Sequence, residues 1–298
     1  MCRHFAYVGD EVSIKSVLFD PPHGLVQQAW APRWQRHGTM NVDGFGVGWY
    51  SGGDPVPARY RRTGPIWADD CLADLARVTR TAAMLCAVRS ASVGTDMGPS
   101  AVAPYSDGRW LFSLNGALVG WSAAAGGSTT PRRRMSAAVL RLAERLSAAE
   151  LLQLQARCDT ALLWAMVLHR LRAGQPPADA LAGTVTDIWA AGGTGRFNLL
   201  LTDGKMIAAT AAGDSLCYRY RPGGVIVASE PSDDDPDWQK VPDNSVVEAS
   251  RAGVTVRPIE PAGTRGVPGG GPQASAEPSG QFRPAEPAGH PNGKATAS

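Results

Sequence analysis

The chain has 298 residues, of which 44% are hydrophobic and 19% are charged, and its formal net charge is +2. This length is enough for one sizeable core or two small domains. A charge balance so close to zero excludes the strong positive field that draws proteins to nucleic acid or to anionic membranes, so neither partner is expected. The first ten residues lack the apolar core of a signal peptide, and no uncharged apolar stretch reaches 18 residues, which predicts a cytoplasmic protein.

Strands and helices are predicted in blocks along the first 257 residues. Alternating or apolar segments indicate a first run of strands at 3–8, 44–50, 58–62, 82–89 and 109–114. Helices follow, one opened by the capping box of Ser147 and Glu150 and two more at 160–172 and 178–191. A second run of strands is indicated at 197–202, 206–211, 216–220 and 225–228. Two runs of strands with helices between them predict an α+β layered domain.

The composition changes at residue 258. Residues 258–298 contain eight prolines and eight glycines, and their large apolar residues are only Ile259, Val267 and Phe282. Such a segment cannot bury enough surface to offset the entropy lost on ordering. The sequence therefore predicts one folded domain at 2–257 and a disordered tail at 258–298.

No sequence motif indicates a metal or a cofactor. The five cysteines include no CxxC pair, and the five histidines form no HxH or HxxxH pair, so neither a disulfide framework nor a metal site is predicted. Gly44, Gly46 and Gly48 have GxGxG spacing, which differs from the GxGxxG of a dinucleotide-binding loop, and no helix follows them. Alternating glycines in a strand let another backbone approach closely, and this structural role is favoured.

Cys2 is the most informative residue of the chain. Removal of Met1 is expected because the next side chain is small, and Cys2 then becomes the N-terminal residue. The ordinary pKa of an α-amine is about 7.7–8.0, so this amine can serve as the base for the thiol of the same residue. Nucleophile and base then come from one residue, and no histidine is required.

Three further positions suit either catalysis or local structure. Asn115 and Gly116 follow a predicted strand and, taken alone, are more typical of a turn, although their amide groups can also form an oxyanion hole. Arg89 ends a buried strand, where it can form a structural ion pair or bind a carboxylate. Asp159 precedes a predicted helix, where it can cap that helix or bind an ammonium group.

Together these residues resemble the glutaminase domain of class II glutamine amidotransferases, which are N-terminal nucleophile hydrolases. The resemblance rests on Cys2 followed by a short strand, VRSAS at 88–92, FSLNG at 112–116 and CDTAL at 158–162, in this chain order. It covers about residues 2–257 and implies a four-layer αββα sandwich. It also implies that Cys2 is both nucleophile and base.

The same resemblance implies the roles of the other site residues. Asn115 and Gly116 form the oxyanion hole, and the reaction needs no metal or other cofactor. Arg89 binds the α-carboxylate of a glutamyl group with help from Ser92, and Asp159 binds its α-ammonium group.

Within this family, residues 41–50 and 228–242 resemble the γ-glutamyl hydrolases of ergothioneine biosynthesis. Those enzymes release glutamate from γ-glutamyl-hercynylcysteine S-oxide, which implies the same small-molecule substrate here. Two alternatives stay open: a free-standing glutaminase subunit that supplies ammonia to a partner synthase, and a γ-glutamyl-binding protein without turnover. Trp30, Trp34 and Trp121 are candidates for stacking against a quaternary ammonium group of the substrate. The oligomeric state is not predicted.

Overall fold

The computed structural model of the chain describes residues 2–92, 94–121, 123–124 and 133–260. All of them belong to one compact unit, Met1–Thr264. The helices and strands of these residues are, in chain order, β1 (Arg3–Ser13), α1 (Ile14–Leu18), α2 (Leu25–Gln28), β2 (Gly44–Trp49), β3 (Ala58–Arg62), α3 (Leu72–Val78), β4 (Arg80–Arg89), β5 (Tyr105–Asp107), β6 (Trp110–Leu118), β7 (Ala123–Ala124), β8 (Arg133–Arg134), α4 (Ala137–Ala143), α5 (Ala148–Leu152), α6 (Asp159–Arg172), α7 (Pro177–Ala190), β9 (Gly195–Thr202), β10 (Met206–Ala211), β11 (Cys217–Arg221), β12 (Gly224–Ala228), β13 (Gln239–Lys240), β14 (Ser245–Ser250) and β15 (Gly253–Pro258). None of these helices combines the length and the apolar composition that a membrane span requires.

Two antiparallel sheets form the centre of the fold. The first has seven strands in the order β13-β11-β12-β1-β4-β2-β3, and the second has six in the order β15-β14-β10-β9-β6-β5. β1 and β6 are both interior strands, and the end of β6 that carries Asn115 and Gly116 is held by pairing with β9. This pairing gives the groups at that end fixed positions.

Alternation along β1 shows how the layers form, since successive side chains of a strand point to opposite faces. Phe5 packs in a core between the seven-stranded sheet and α1–α3, whereas Ala6 and Val8 pack in a second core between the two sheets. A third core lies between the six-stranded sheet and α6 and α7, where Phe112 stacks on Trp164 with ring centroids 5.0 Å apart. Helices therefore cover the outer faces of two packed sheets, which confirms the αββα sandwich.

The glycines of β2 allow a neighbouring segment to lie against the sheet. A Cβ atom on Gly46 would be 2.1 Å from the Ala103 carbonyl oxygen, and one on Gly48 would be 2.8 Å from Leu111 Cδ1. Real Cβ atoms do not approach other atoms so closely, so no larger residue fits at either position without movement of its neighbours. The structural interpretation of the GxGxG segment is confirmed.

The C-terminal strands differ most from the sequence predictions. β14 and β15 were not predicted. In β14 the adjacent Val246 and Val247 are both buried, so this strand does not alternate. β15 is a short edge strand next to the change of composition at residue 258, and its alternation from Val254 to Arg257 was overlooked. Ile259, just after β15, is 5% exposed, and its N–H donates to the Asn244 carbonyl at 2.8 Å. The folded part therefore extends beyond the boundary predicted at residue 257. Residues 261–298 lie outside the described residues, so the disordered tail stays a prediction.

Candidate active site

Cys2 lies immediately before β1 and is half-buried. In the antiparallel pairing of β1 with β4, Arg3 is opposite Val88. Continuing this register by one residue places Cys2 opposite Arg89, at the end of β4. The sheet thus brings the predicted nucleophile next to the predicted carboxylate-binding residue, although they are far apart in the chain.

Asn115 and Gly116 lie inside a strand, and the turn interpretation is wrong. β6 continues through both residues, which pair with Asn198 and Phe197 of β9. Gly116 has φ +153°, and a Cβ atom there would be 1.9 Å from the Arg196 carbonyl oxygen. Only glycine fits at this position, because the backbone of β9 occupies the space that a side chain would need.

Arg3 determines how the buried Asn115 amide is oriented. A guanidinium group only donates hydrogen bonds, so Asn115 Oδ1 must face it. In that orientation Oδ1 accepts from Arg3 Nη1 at 3.1 Å, and Nδ2 donates to the Cys2 carbonyl oxygen at 2.5 Å. The amide nitrogen of the predicted oxyanion hole is therefore turned toward the nucleophilic residue.

Glu230 compensates the charge of Arg3. Both side chains are fully buried, and Arg3 Nε is 3.5 Å from Glu230 Oε2. Burial lowers the pKa of Arg3, and the carboxylate of Glu230 opposes this shift. A buried charge is tolerated when it is paired, so this ion pair keeps a donor-only group in place behind Asn115.

Arg89 is 8% exposed and is held at one end of its guanidinium group. Nη2 donates to Thr95 Oγ1 at 3.0 Å and to the Asp96 carbonyl at 2.8 Å. Nη1 is buried and has no hydrogen-bond partner among the described residues. A rigid guanidinium group with one unused buried nitrogen is suited to receive a carboxylate.

Asp159 connects α6 to β6. Its Oδ2 accepts from the Leu118 N–H at 2.9 Å and its Oδ1 from the Thr160 N–H at 2.8 Å. α6 begins at Asp159 itself, with Cys158 at the N-cap position, so the predicted N-cap assignment is wrong by one residue. Burial raises the pKa of the Asp159 carboxyl group, and these N–H donors and Arg89 act in the opposite direction.

A cavity of about 610 Å³ lies beside the end of β4. Its lining includes Ser92, Thr95 and Asp43. Thr95 Oγ1 donates to the Ser92 carbonyl at 2.8 Å, so the residue that supports Arg89 also shapes the cavity wall. Asp43 Oδ2 accepts from the Ala91 N–H at 2.7 Å, and its own N–H donates to the Arg89 carbonyl at 2.9 Å. Asp43 was not among the predicted site residues, although it lies within the segment 41–50 that carries the resemblance.

The three candidate tryptophans lie in different places. Trp121 lines the cavity beside β4, and Trp34 lines a separate groove. Trp30 packs edge-on against Trp67, with ring centroids 5.3 Å apart. They do not form one aromatic cage. No group of three metal-ligating side chains is arranged to hold a metal ion in the part of the chain that the structure describes.

Comparisons with known proteins identify relatives of this chain. No protein-family model matches the chain. The γ-glutamyl-hercynylcysteine sulfoxide hydrolase of Mycolicibacterium smegmatis is 38% identical over 259 residues, which cover 87% of this chain and 100% of that protein. The protein of the same name from Mycobacterium tuberculosis (strain CDC 1551 / Oshkosh) is 38% identical over 263 residues, covering 88% of this chain and 98% of its own length.

A solved structure shows the same fold. The glutamine aminotransferase class-II domain protein from Silicibacter pomeroyi matches with a TM-score of 0.60 and 22% identity, covering 87% of this chain and 100% of its own. At this identity the likeness concerns the fold alone, and it agrees with the predicted class II amidotransferase architecture. The curated relatives are closer in sequence and are matched over almost their entire length. The chain therefore belongs to the family of γ-glutamyl-hercynylcysteine sulfoxide hydrolases.

Proposed function

We propose that this chain hydrolyses the γ-glutamyl amide bond of γ-glutamyl-hercynylcysteine S-oxide, releasing glutamate and hercynylcysteine S-oxide. The single observation that carries the proposal is that Asn115 Nδ2 donates to the Cys2 carbonyl while the pairing of β1 with β4 places Cys2 opposite Arg89, whose Nη1 is buried without a partner among the described residues. The curated relatives that bear this name support the choice of substrate.

The glutamyl head is bound by groups of matching charge in this proposal. Arg89 Nη1 donates to the α-carboxylate, and the Ser92 hydroxyl group at the cavity wall adds a second donor. The Asp159 carboxylate accepts from the α-ammonium group, since each of its oxygens can accept a further hydrogen bond beyond those from Leu118 and Thr160. These contacts position the γ-carbonyl carbon at Cys2.

The first chemical step forms a thioester. After Met1 has been removed, the α-amine of Cys2 takes the proton of its own thiol, and the thiolate attacks the γ-glutamyl carbonyl carbon. Asn115 Nδ2 and the Gly116 N–H donate to the oxyanion. Nδ2 carries two hydrogens, so its bond to the Cys2 carbonyl leaves one for the substrate. The tetrahedral intermediate collapses, the C–N bond breaks, and the α-ammonium group protonates the departing amine.

The second step consumes water. The α-amine of Cys2 accepts a proton from a water molecule, which attacks the γ-glutamyl thioester. The same oxyanion donors act again, and the C–S bond breaks to release glutamate and restore the thiol. The α-ammonium group returns its proton to the departing thiolate, so the amine and the thiol of Cys2 both end in their starting states.

Glutamate release tests the proposed function. We expect wild-type protein to hydrolyse γ-glutamyl-hercynylcysteine S-oxide with a higher kcat/KM than L-glutamine, and Cys2→Ala to release no glutamate from either compound. Cys71→Ala is the matched control, because Cys71 is an exposed thiol on the helical face of the seven-stranded sheet. If glutamine is hydrolysed as well or better, the chain is a glutaminase, and binding without turnover by wild-type protein would make it a γ-glutamyl-binding protein.

A further inference from the structure

β1 has a second neighbour, β12, and the chain after β12 passes the other side of Cys2. Phe5 pairs with Ala228 in β12. Beyond this pair, the Ser229 N–H donates to the His4 carbonyl at 2.9 Å, and the His4 N–H donates to Ser229 Oγ at 3.1 Å. Cys2 therefore lies between the end of β4, beside which the cavity of about 610 Å³ is found, and residues 229–231, which follow β12.

A groove opens on this β12 side. It consists of two adjoining cavities of about 380 and 350 Å³ that share Arg36, Ser215 and Lys240. We call it the β12-side groove and define it by Trp34, Gln35, Arg36, Asp214, Ser215 and Lys240. None of these residues takes part in the proposed thioester chemistry or binds the glutamyl head.

One wall of the β12-side groove is connected to the oxyanion amide. Ser215 Oγ donates to the Ser229 carbonyl at 2.8 Å, and Ser229 Oγ is 3.4 Å from the Asn115 amide. Asn198, which is opposite Asn115 in β9, donates through Nδ2 to the carbonyls of Asp214 at 3.1 Å and Ser215 at 3.0 Å. Residues 214–215 are therefore held by Ser229 and Asn198, both of which are neighbours of Asn115.

The opposite wall is connected to the residue after the nucleophile. Glu230 accepts from the Arg33 N–H at 2.9 Å and from the Trp34 N–H at 2.7 Å. The same carboxylate is paired with Arg3. The loop that carries Trp34, Gln35 and Arg36 is therefore held against the N-terminal end of β1 by a buried side chain.

Two buried polar atoms of the residues that line the groove make no hydrogen bond within the described part of the chain. Gln35 Nε2 and Asp214 Oδ2 are buried and have no hydrogen bond to any described residue, although Asp214 Oδ2 is 3.8 Å from Arg196 Nε. Buried polar groups in proteins are almost always hydrogen-bonded, so such atoms in a groove indicate a polar ligand. Arg36 and Lys240 are exposed at its edge and make no ion pair within the described residues. The lining also includes Asp243, and Asp214 is paired with Arg196, so Arg36 and Lys240 together give the groove a small excess of positive charge.

We propose that the β12-side groove binds the leaving amino acid of the substrate, and that Arg36 and Lys240 bind the carboxylate on the carbon attached to the scissile nitrogen. This inference rests on the proposed function. Once the glutamyl head occupies the Arg89 side, the leaving amine extends away from it, toward Ser229 and Glu230, to which the walls of the groove are hydrogen-bonded. The ammonia released from glutamine has no carboxylate, so these two cations favour an amino-acid conjugate over glutamine.

Matched substrates test the inference. We compare γ-glutamyl-hercynylcysteine S-oxide with the analogue that lacks only the cysteinyl carboxylate, using wild-type protein and the double variant Arg36→Gln/Lys240→Gln. Wild-type protein should lose about 10- to 100-fold in kcat/KM on the analogue, the size expected for a charge-assisted hydrogen bond. The double variant should show a similar loss on the full substrate and less than about twofold further loss on the analogue.

The experiment has its own control variant, and the results that contradict the groove inference differ from the result that contradicts the proposed function. Lys205→Gln replaces an exposed cation between β9 and β10, outside the groove, and should leave both kcat/KM values unchanged. If the double variant loses the same factor on both substrates, or on neither, the groove does not bind this carboxylate. If wild-type protein hydrolyses neither compound, the proposed function itself fails.

Discussion

The Arg3 guanidinium group carries only hydrogen-bond donors, and it affects Cys2 by fixing the orientation of the Asn115 side chain. Arg3 Nη1 requires the acceptor end of the amide, so the donor end of Asn115 faces the Cys2 carbonyl. The cost of burying the guanidinium charge is offset by Glu230, which also holds the backbone of Arg33 and Trp34. One buried ion pair therefore orients the oxyanion amide and shapes the β12-side groove.

The oxyanion role of Asn115 predicts a loss confined to the chemical steps. Asn115→Ala should lower kcat by about 10²- to 10³-fold, because one donor to the developing oxyanion is lost. KM should change far less, since that donor acts mainly in the transition state. Steady-state kinetics of glutamate release measure both constants. A variant with unchanged kcat and raised KM would make Asn115 a binding residue.

The mechanism also predicts the N-terminus of the mature protein. The α-amine of Cys2 can act as a base only when Met1 has been removed, since an amide nitrogen is not basic. Intact-mass measurement of active protein should therefore find a chain that begins at Cys2. Active protein that retains Met1 throughout would contradict the single-residue nucleophile and base.

At the scale of elements, β1 and β6 join the two sheets near the active site. His4 and Asn115 both reach across, His4 to Ser113 and Asn115 to Cys2. His4 Nδ1 is 3.0 Å from Ser113 Oγ, and complete burial lowers the pKa of His4 to about 3, with a further contribution from the charge of Arg3. The imidazole is therefore neutral in the folded protein at neutral pH.

This shift predicts a pH-dependent stability. The pKa of His4 is about 3 in the folded state and about 6.5 in the unfolded state, so the unfolded chain binds more protons between these values. The free energy of unfolding should therefore fall as the pH drops below about 6.5, by up to about 1.4 kcal/mol per pH unit from this residue. Denaturant unfolding between pH 7.5 and 5 measures the slope. His4→Gln should have a smaller slope over this range, and equal slopes would contradict the prediction.

The packing of β2 predicts that two glycine substitutions differ strongly in their effect on the free energy of unfolding. Gly46→Ala places a Cβ atom 2.1 Å from the Ala103 carbonyl oxygen, so strand and neighbouring segment must separate. We expect a loss of about 1–3 kcal/mol or more in unfolding free energy, as for other overpacked sites. Gly52→Ala is the control, because nothing lies within 4 Å of its Cβ position. Equal thermal stability of the two variants would show that the contact near Gly46 is easily relieved.

At the scale of the whole molecule, the C-terminal end of the fold is set by Ile259. Its side chain is part of the core beneath α6 and α7, and its backbone bonds to the residue that precedes β14. A chain that ends at residue 260 retains these contacts, whereas a chain that ends at residue 257 loses them. The boundary of the folded domain therefore lies between these two positions or beyond them.

Two truncations test this boundary. Removal of residues 261–298 should leave kcat/KM and Tm unchanged, because the segment's composition predicts no packing. Removal of residues 258–298 should lower the unfolding free energy by about 2–5 kcal/mol, the usual effect of deleting a buried isoleucine side chain. Tm and the rate of glutamate release are measured for both truncated proteins. A marked loss of activity on removal of residues 261–298 would show that this segment contributes to the site.

Local patterns were enough to predict much of this protein. The family resemblance of the segments around Cys2, Arg89, Asn115 and Asp159 implied the amidotransferase fold. Period-two alternation predicted β1 and β2, and helical spacing predicted α6 and α7. These signals are available in sequence because they depend on neighbours within a few residues. β15 does alternate, from Val254 to Arg257, but this signal is short and borders the proline- and glycine-rich segment.

Only the tertiary structure determines that Asn115 and Gly116 lie in a strand and which residues surround Cys2. Asn115-Gly116 has a strong local preference for a turn, but pairing with β9 about eighty residues later in the chain keeps both in a strand. The partners of Arg3 and the walls of the β12-side groove likewise come from segments more than a hundred residues away. Sheet pairing brings such residues together, and no periodicity in the sequence records which strands will be neighbours.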